Sequence, residues 1–366
     1  MTTEERVLTA LSRQQPDRVP VFLYLNPWAK NWYNQEPSYA EVLAACAEHE
    51  DVVYDWGYPQ GLFFTAAKPE TETRDLGDGH KEATWRTPAG PLTIVSRQDW
   101  RGSGLVKRWI TTVEDVERAL SIPYVPPRPD LSTFFSERER LKGRAIAQVT
   151  FSDPICCAGW IEEETLAIWT IEERPLLKRF LDAMFHRVMD QLRYCLDNGV
   201  GPLYYFNGPE YALPPLMSPR DFDEFVVEYD RELIRLVHSY SGRHTIIHSH
   251  GRVNNFLERF VAIGTDGLNV LEPPPIGDVI LSDAKRRVGE RMCLIGNIQY
   301  DDLARGSADE IEALVRDAIR QGGPGGGFIL SPCASPYERP LPAKASANLI
   351  HYLKMGRRYG VYPLQA

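Results

Sequence analysis

His248 and His250 stand two residues apart in the run His244-Thr-Ile-Ile-His-Ser-His-Gly251, and Cys333 follows a second apolar run, Phe328-Ile-Leu330. The first run reads as a short buried β-strand ending at a glycine. Side chains alternate faces along a strand, so residues two apart project the same way. If the two strand ends meet, two imidazoles and one thiolate make a three-ligand zinc site. Three protein ligands leave a fourth position open, the pattern of a catalytic rather than a structural zinc. The same residues are also compatible with a polar strand end and a buried thiol.

Glu210 is the carboxylate best placed to join them. It follows the apolar run Leu203-Tyr-Tyr-Phe206 in Asn207-Gly-Pro-Glu210. As a fourth zinc ligand it would be displaced by substrate; as a general acid it would serve a leaving group. A solvated loop carboxylate is the alternative. Asp153, Glu272 and Asn297 are further polar residues at run ends.

These residues need elements to bring them together. The chain has 366 residues, 43% hydrophobic and 25% charged, enough to bury a large core. Eight short apolar runs punctuate it: Val19–Leu25, Asp51–Asp55, Arg144–Thr150, Leu203–Phe206, Thr245–His248, Gly267–Leu271, Met292–Ile295 and Phe328–Leu330. Helical patterns separate the later runs. Ser218-Pro219-Arg-Asp221 supplies an N-cap, a first-turn proline and an acidic third residue. Further helices are expected over 3–13, 174–198, 308–321 and 343–358. Repeated strand–helix units with buried strands imply a parallel sheet, and eight imply a single α/β domain over residues 1–366, a (β/α)₈ TIM barrel. Residues 70–100 break the pattern. They alternate and turn at Gly77-Asp-Gly79, which predicts a β-hairpin insertion.

Active sites of such barrels collect at the C-terminal ends of the strands. That rule groups Trp28, Trp32 and Tyr33 after the first run with Trp56 and Tyr58 after the second. Tyr205 and Tyr211 of the fourth unit join them, as does Asn297 of the seventh. Trp28, Trp32, Trp56, Tyr58, Tyr205, Tyr211 and Asn297 are the candidate substrate contacts. Their aromatic rings suit a methyl ether or a methylated cation, and packing is their alternative role.

The formal net charge of −9 argues against nucleic acid or an anionic membrane as a general partner. No run approaches the about 20 apolar residues that span a bilayer. The opening Met-Thr-Thr-Glu-Glu-Arg-Val-Leu lacks the pattern of a signal peptide, which predicts a cytoplasmic protein. The six cysteines (46, 156, 157, 195, 293, 333) form no CxxC and read as reduced thiols. Gly322-Gly-Pro-Gly-Gly-Gly327 precedes a strand and lacks the lysine of a phosphate-cradling loop.

Five segments, in this order, resemble the uroporphyrinogen decarboxylase-like superfamily, especially its cobalamin-dependent methyltransferase branch. They are Glu5-Arg-Val-Leu-Thr-Ala-Leu…Asp17-Arg-Val-Pro-Val21, Met217-Ser-Pro-Arg-Asp-Phe-Asp-Glu-Phe225, His248-Ser-His-Gly251, Leu294-Ile-Gly-Asn-Ile298 and Gly325-Gly-Gly-Phe-Ile-Leu-Ser-Pro-Cys333. The resemblance implies a (β/α)₈ barrel. It also implies a zinc motif, His-x-Cys with a distant cysteine, onto which His248 and Cys333 fall. His250 stands where the branch has its middle cysteine. Two neutral imidazoles and one thiolate leave Zn²⁺ with net positive charge, a stronger Lewis acid than a two-thiolate site. The implied activity moves a methyl group between a small-molecule donor or acceptor and a corrinoid. That cofactor (cobalamin) would be carried by a partner protein, because this chain has no additional domain for it. Both a monomer and a homodimer remain open.

The decarboxylase branch carries arginines in a loop after the first strand. Here that loop is Leu25-Asn-Pro-Trp-Ala-Lys-Asn-Trp32, with Lys30 as its one cation. This counts against a polycarboxylate substrate. The alternatives are a carboxy-lyase or another zinc-assisted lyase or hydrolase on the same barrel, and a non-catalytic ligand-binding barrel.

Overall fold

The computed structural model describes residues 1–99 and 102–364. Seven parallel strands form one curled sheet: β1 (Val52–Gly57), β6 (Ala145–Ser152), β7 (Leu203–Asn207), β8 (His244–Ser249), β9 (Gly267–Val270), β10 (Cys293–Ile298) and β11 (Phe328–Pro332), in that order. Between β1 and β6 lie four antiparallel strands, β2 (Thr71–Gly77), β3 (His80–Thr87), β4 (Gly90–Asp99) and β5 (Gly102–Lys107). The insertion is therefore a four-stranded sheet, larger than the hairpin expected over 70–100, whose last residue, Trp100, lies outside the described residues. Its first turn is the expected one. Asp78 and Gly79 take φ of 49° and 76°, the left-handed pair that matches the twist of a hairpin.

The first apolar run is not a regular strand. Pro20 has no N–H to give, and Tyr24 has φ 63°. It still fills the eighth place of the barrel. Leu330 N donates to Pro20 O and Phe22 N to Leu330 O, both at 2.9 Å, joining the run to β11. On the other side, carboxylates stand in for a strand ladder. Asp51 Oδ2 accepts from Val21 N at 3.0 Å, and Glu50 Oε1 accepts from Leu23 N and Tyr24 N, each at 2.8 Å. Asp51 is in turn held by Arg6 Nη1 (2.7 Å) and Arg18 Nη1 (2.5 Å). Backbone donors that a missing strand would leave bare are thus satisfied.

Inward-facing residues fill the barrel at its N-terminal end. Phe22, Val53, Ile146, Leu203, Ile246, Ile295 and Ile329 pack together with Val7, Ala10 and Leu11 of the N-terminal helix Thr3–Leu11. That helix starts at a reciprocal cap between Thr2 and Glu5. One step further along the same inward parity come Tyr205, His248 and Asn269. Asn207, His248 and Asn269 are register partners across β7, β8 and β9. The outer helices bury a larger core against the sheet. The helix begun at Ser218 runs from Pro219 to His238 with one wide turn at Asp223–Val227. No helix among the described residues is long and apolar enough to cross a membrane.

Candidate active site

A cavity of about 1150 Å³ sits at the C-terminal ends of the strands. His248, His250 and Cys333 line it, as do Trp28, Trp32, Tyr33 and Tyr205 from the expected set. The strand order explains the meeting: β8 and β11 lie on one curled sheet, so residues 83 to 85 positions apart in sequence reach one mouth.

The two imidazoles stand edge to face, 4.7 Å between ring centroids. Each is held from behind through Nδ1. His248 Nδ1 lies 2.7 Å from Asn269 Oδ1 and 2.6 Å from Tyr205 Oη. His250 Nδ1 lies 3.1 Å from Glu272 Oε1, whose second oxygen accepts from Gly251 N at 2.6 Å. No described residue engages Nε2 of either ring. A metal-ligating histidine is built this way, with one ring nitrogen oriented by a hydrogen-bond acceptor and the other free to bind. The Cys333 thiol is buried and turns to Val270 O at 3.8 Å. Among the described residues, no three His, Cys, Asp or Glu side chains already form a complete ligand set. Two imidazole nitrogens and a thiol lining one cavity are donor types that zinc takes, and the thiol is engaged with Val270 O.

Electrostatics separate the two rings. Burial lowers the His248 pKa to about 4. Hydrogen bonding to the Glu272 carboxylate raises that of His250 against the effect of burial. Burial works to raise Glu272, but hydrogen bonds from His250 and Gly251 prevail and hold it below the usual carboxylate range. Burial pushes the Cys333 thiol up, so it is a thiol until a cation replaces its proton.

The remaining expected residues lie off the cavity wall. Tyr58 stacks on Phe151 at 4.8 Å, and its hydroxyl donates to Pro127 O at 2.6 Å. Trp56 packs on Phe134 at 5.4 Å. Both rings satisfy packing, not a ligand. Tyr211 lies against Gly159, where even a methyl group would come within 2.9 Å of its hydroxyl. Asn297, on β10, is not among the lining residues. Glu210 is half-buried, and its Oε2 meets no hydrogen-bond partner among the described residues. Burial raises its pKa, and the nearby charge of His250 opposes that shift.

Several lining residues were absent from the expected set. Asp55 opens into the cavity from β1, holding Gln148 Nε2 (3.0 Å) and Thr150 Oγ1 (2.5 Å) on one oxygen; burial raises its pKa. Tyr24 and Asn269 lie beneath His248. Strand parity was the available signal. Asp55 shares the face of Val53, and Asn269 shares that of Gly267, so each is a polar residue on an inward face.

Residues 158–341 match the family model described as uroporphyrinogen decarboxylase (URO-D). A uroporphyrinogen decarboxylase of Pseudoalteromonas translucida is 26% identical over 271 residues, 67% of this chain and 70% of that protein. The methylcobamide:CoM methyltransferase MtaA of Methanosarcina barkeri is 28% identical over 155 residues, 42% of this chain and 43% of that protein. The chain thus spans less than half the length of that second relative. A solved methyltransferase from Methanosarcina mazei superposes with a TM-score of 0.62 over 98% of this chain and 99% of that one, at 18% identity, a likeness of fold. With half of the chain matched by that family model, the chain belongs to the uroporphyrinogen decarboxylase (URO-D) family of enzymes.

Proposed function

We propose that this single-domain barrel is a zinc-dependent methyltransferase, moving a methyl group between a small heteroatom substrate and a corrinoid carried by a partner protein. The reading rests above all on one wall of the cavity, where two imidazoles backed through Nδ1 share the lining with a buried thiol. The relative named methylcobamide:CoM methyltransferase supports it. Bound zinc supplies a Lewis acid that stabilises a thiolate or a departing heteroatom. His248 and His250 would hold the metal through Nε2, the nitrogen opposite their Nδ1 hydrogen bonds. Cys333 would hold the metal through its sulfur as a thiolate, away from Val270 O. Trp28, Trp32 and Tyr205 exclude water from the methyl-bearing part of the substrate. Asp55 accepts a hydrogen bond from a substrate N–H or O–H. Glu210, off the cavity wall, lends negative charge near His250.

The test is methyl transfer assayed with methylcobalamin or cob(I)alamin. A His248→Ala/Cys333→Ala double variant is expected to lose at least about 100-fold in rate, the scale of removing metal-site groups. Undiminished transfer would sink the mechanism. Asp55 favours a second reading, a carboxy-lyase, because a carboxyl that opens into the cavity with its pKa held above the ordinary value suits proton transfer. CO₂ release without any corrinoid, abolished in Asp55→Asn, would replace the first reading with this one.

A further inference from the structure

The polar network beneath His248 can run in one direction only. Its far end is a backbone carbonyl. Ser331 Oγ donates to Pro332 O at 2.7 Å, and a carbonyl only accepts. With its hydrogen spent, Ser331 Oγ meets Tyr24 Oη at 3.2 Å as an acceptor. Tyr24 therefore donates there, and its oxygen accepts from Asn269 Nδ2 at 3.0 Å. The second N–H of that amide faces Ile295 O at 3.4 Å. Both amide hydrogens are thus committed, and Oδ1 is turned toward His248 Nδ1 at 2.7 Å. Tyr205 Oη donates to the same Oδ1 at 3.0 Å, so toward His248 Nδ1, 2.6 Å away, it has only lone pairs to offer.

An amide oxygen has no hydrogen to give. At 2.7 Å a bare Nδ1 would set lone pair against lone pair, so Nδ1 carries the hydrogen. The lone pair of the neutral ring is then on Nε2, the nitrogen that no described residue engages. Asn269 and Ser331 are buried, at 1% and 0% exposure, so water does not compete to reset the chain.

We infer that Tyr24, Ser331 and Asn269 are positioning residues that lock His248 in its Nδ1–H tautomer and present Nε2 to the cavity as a preset metal ligand. The inference rests on the proposed metal-binding role of His248. The choice of nitrogen is made four links away, at the Pro332 carbonyl. It requires residues from the first segment, β9 and β11, which only the closed barrel brings together.

The experiment is ¹⁵N NMR of histidine tautomers in the full-length, metal-free chain, paired with zinc affinity measured by chelator competition. His248 is expected as the Nδ1–H tautomer; an Nε2–H ring would overturn the inference. Tyr24→Phe frees the amide to turn, so the Nε2–H population rises and zinc affinity falls about ten-fold. Ser331→Ala gives a smaller shift in the same direction. Adding Asn269→Asp to Tyr24→Phe restores the tautomer and most of the affinity, because a carboxylate only accepts whichever way it turns. A general packing defect would not be rescued in this way. Unchanged tautomer and affinity in Tyr24→Phe would also overturn the inference. Wild-type chain with the expected tautomer but no zinc affinity would remove the metal reading and leave the tautomer assignment standing.

Discussion

His248 and His250 project from one strand end, yet their surroundings are opposite. His248 is enclosed and leans on a neutral amide, Asn269. His250, its side chain 45% exposed, leans on a carboxylate, Glu272. Both supports come from β9 and the residues just after it, only three positions apart. Strand parity on β8 therefore decides where the two imidazoles point, and the neighbouring strand decides what each one is. The contrast also bears on the position where the resembled branch has cysteine. His250 brings no negative charge of its own, and the carboxylate behind it supplies one.

The largest expected effect tests whether both rings are ligands. In equilibrium dialysis, His248→Ala and His250→Ala should each weaken zinc retention by about 100-fold or more. A drop of only a few-fold in either would remove that histidine from the ligand set and break the pairing.

The second effect concerns stability and runs against exposure. His250→Ala should lower Tm, measured with chelator present, more than His248→Ala does. Removing His250 leaves Glu272, 8% exposed, without the imidazole hydrogen-bonded to it, a loss of about 1–3 kcal/mol. Removing His248 leaves Asn269 Oδ1 still bonded to the Tyr205 hydroxyl, and the space opens into an existing cavity. Adding Glu272→Gln to His250→Ala should recover most of the loss. Equal Tm changes in the two single variants would show that the carboxylate does not depend on the imidazole.

Sequence pattern reached the two histidines because they sit at one strand end, His248 on β8 and His250 one residue past it, where parity is local. The eight apolar runs were legible for the same reason, and so was the Asp78-Gly79 turn. Cys333 needed the barrel and the resemblance to join them. Tyr24 under Asn269 was not legible, because that contact spans 245 positions and depends on register around the whole barrel. Nor was the true extent of the insertion: β5 pairs with β4 through Gly-Ser-Gly-Leu-Val-Lys, which carries little strand signal. Tyr58 and Trp56 misled for a physical reason. An aromatic ring near a strand end is satisfied equally by a ligand or by Phe151 and Phe134, and only the packed structure decides.

The smallest effect extends the comparison from imidazoles to the carboxylates that hold backbone. Glu272 and Glu50 both accept backbone N–H groups, Glu272 from Gly251 and Glu50 from Leu23 and Tyr24. Glu272 also has an imidazole; among the described residues Glu50 pairs with no cation, and only the Cys46 thiol lies beside its side chain. Burial accordingly carries the Glu50 pKa up to about 8. A carboxyl whose pKa is higher in the folded chain binds its proton there while the unfolded chain has lost it. Its contribution to stability is therefore fully present below the unfolded value of about 4.5 and declines as pH rises through about 8. Glu50→Gln keeps an oxygen for both N–H groups but puts an unpaired N–H₂ where Oε2 stood, costing about 1 kcal/mol at pH 6. Between pH 6 and pH 9 the wild-type Tm should fall by roughly 5 °C more than that of Glu50→Gln, so the two curves converge or cross. Parallel curves would mean that Glu50 is ionised in the folded chain at both pH values, and that two backbone N–H groups hold a buried carboxylate as well as an imidazole does.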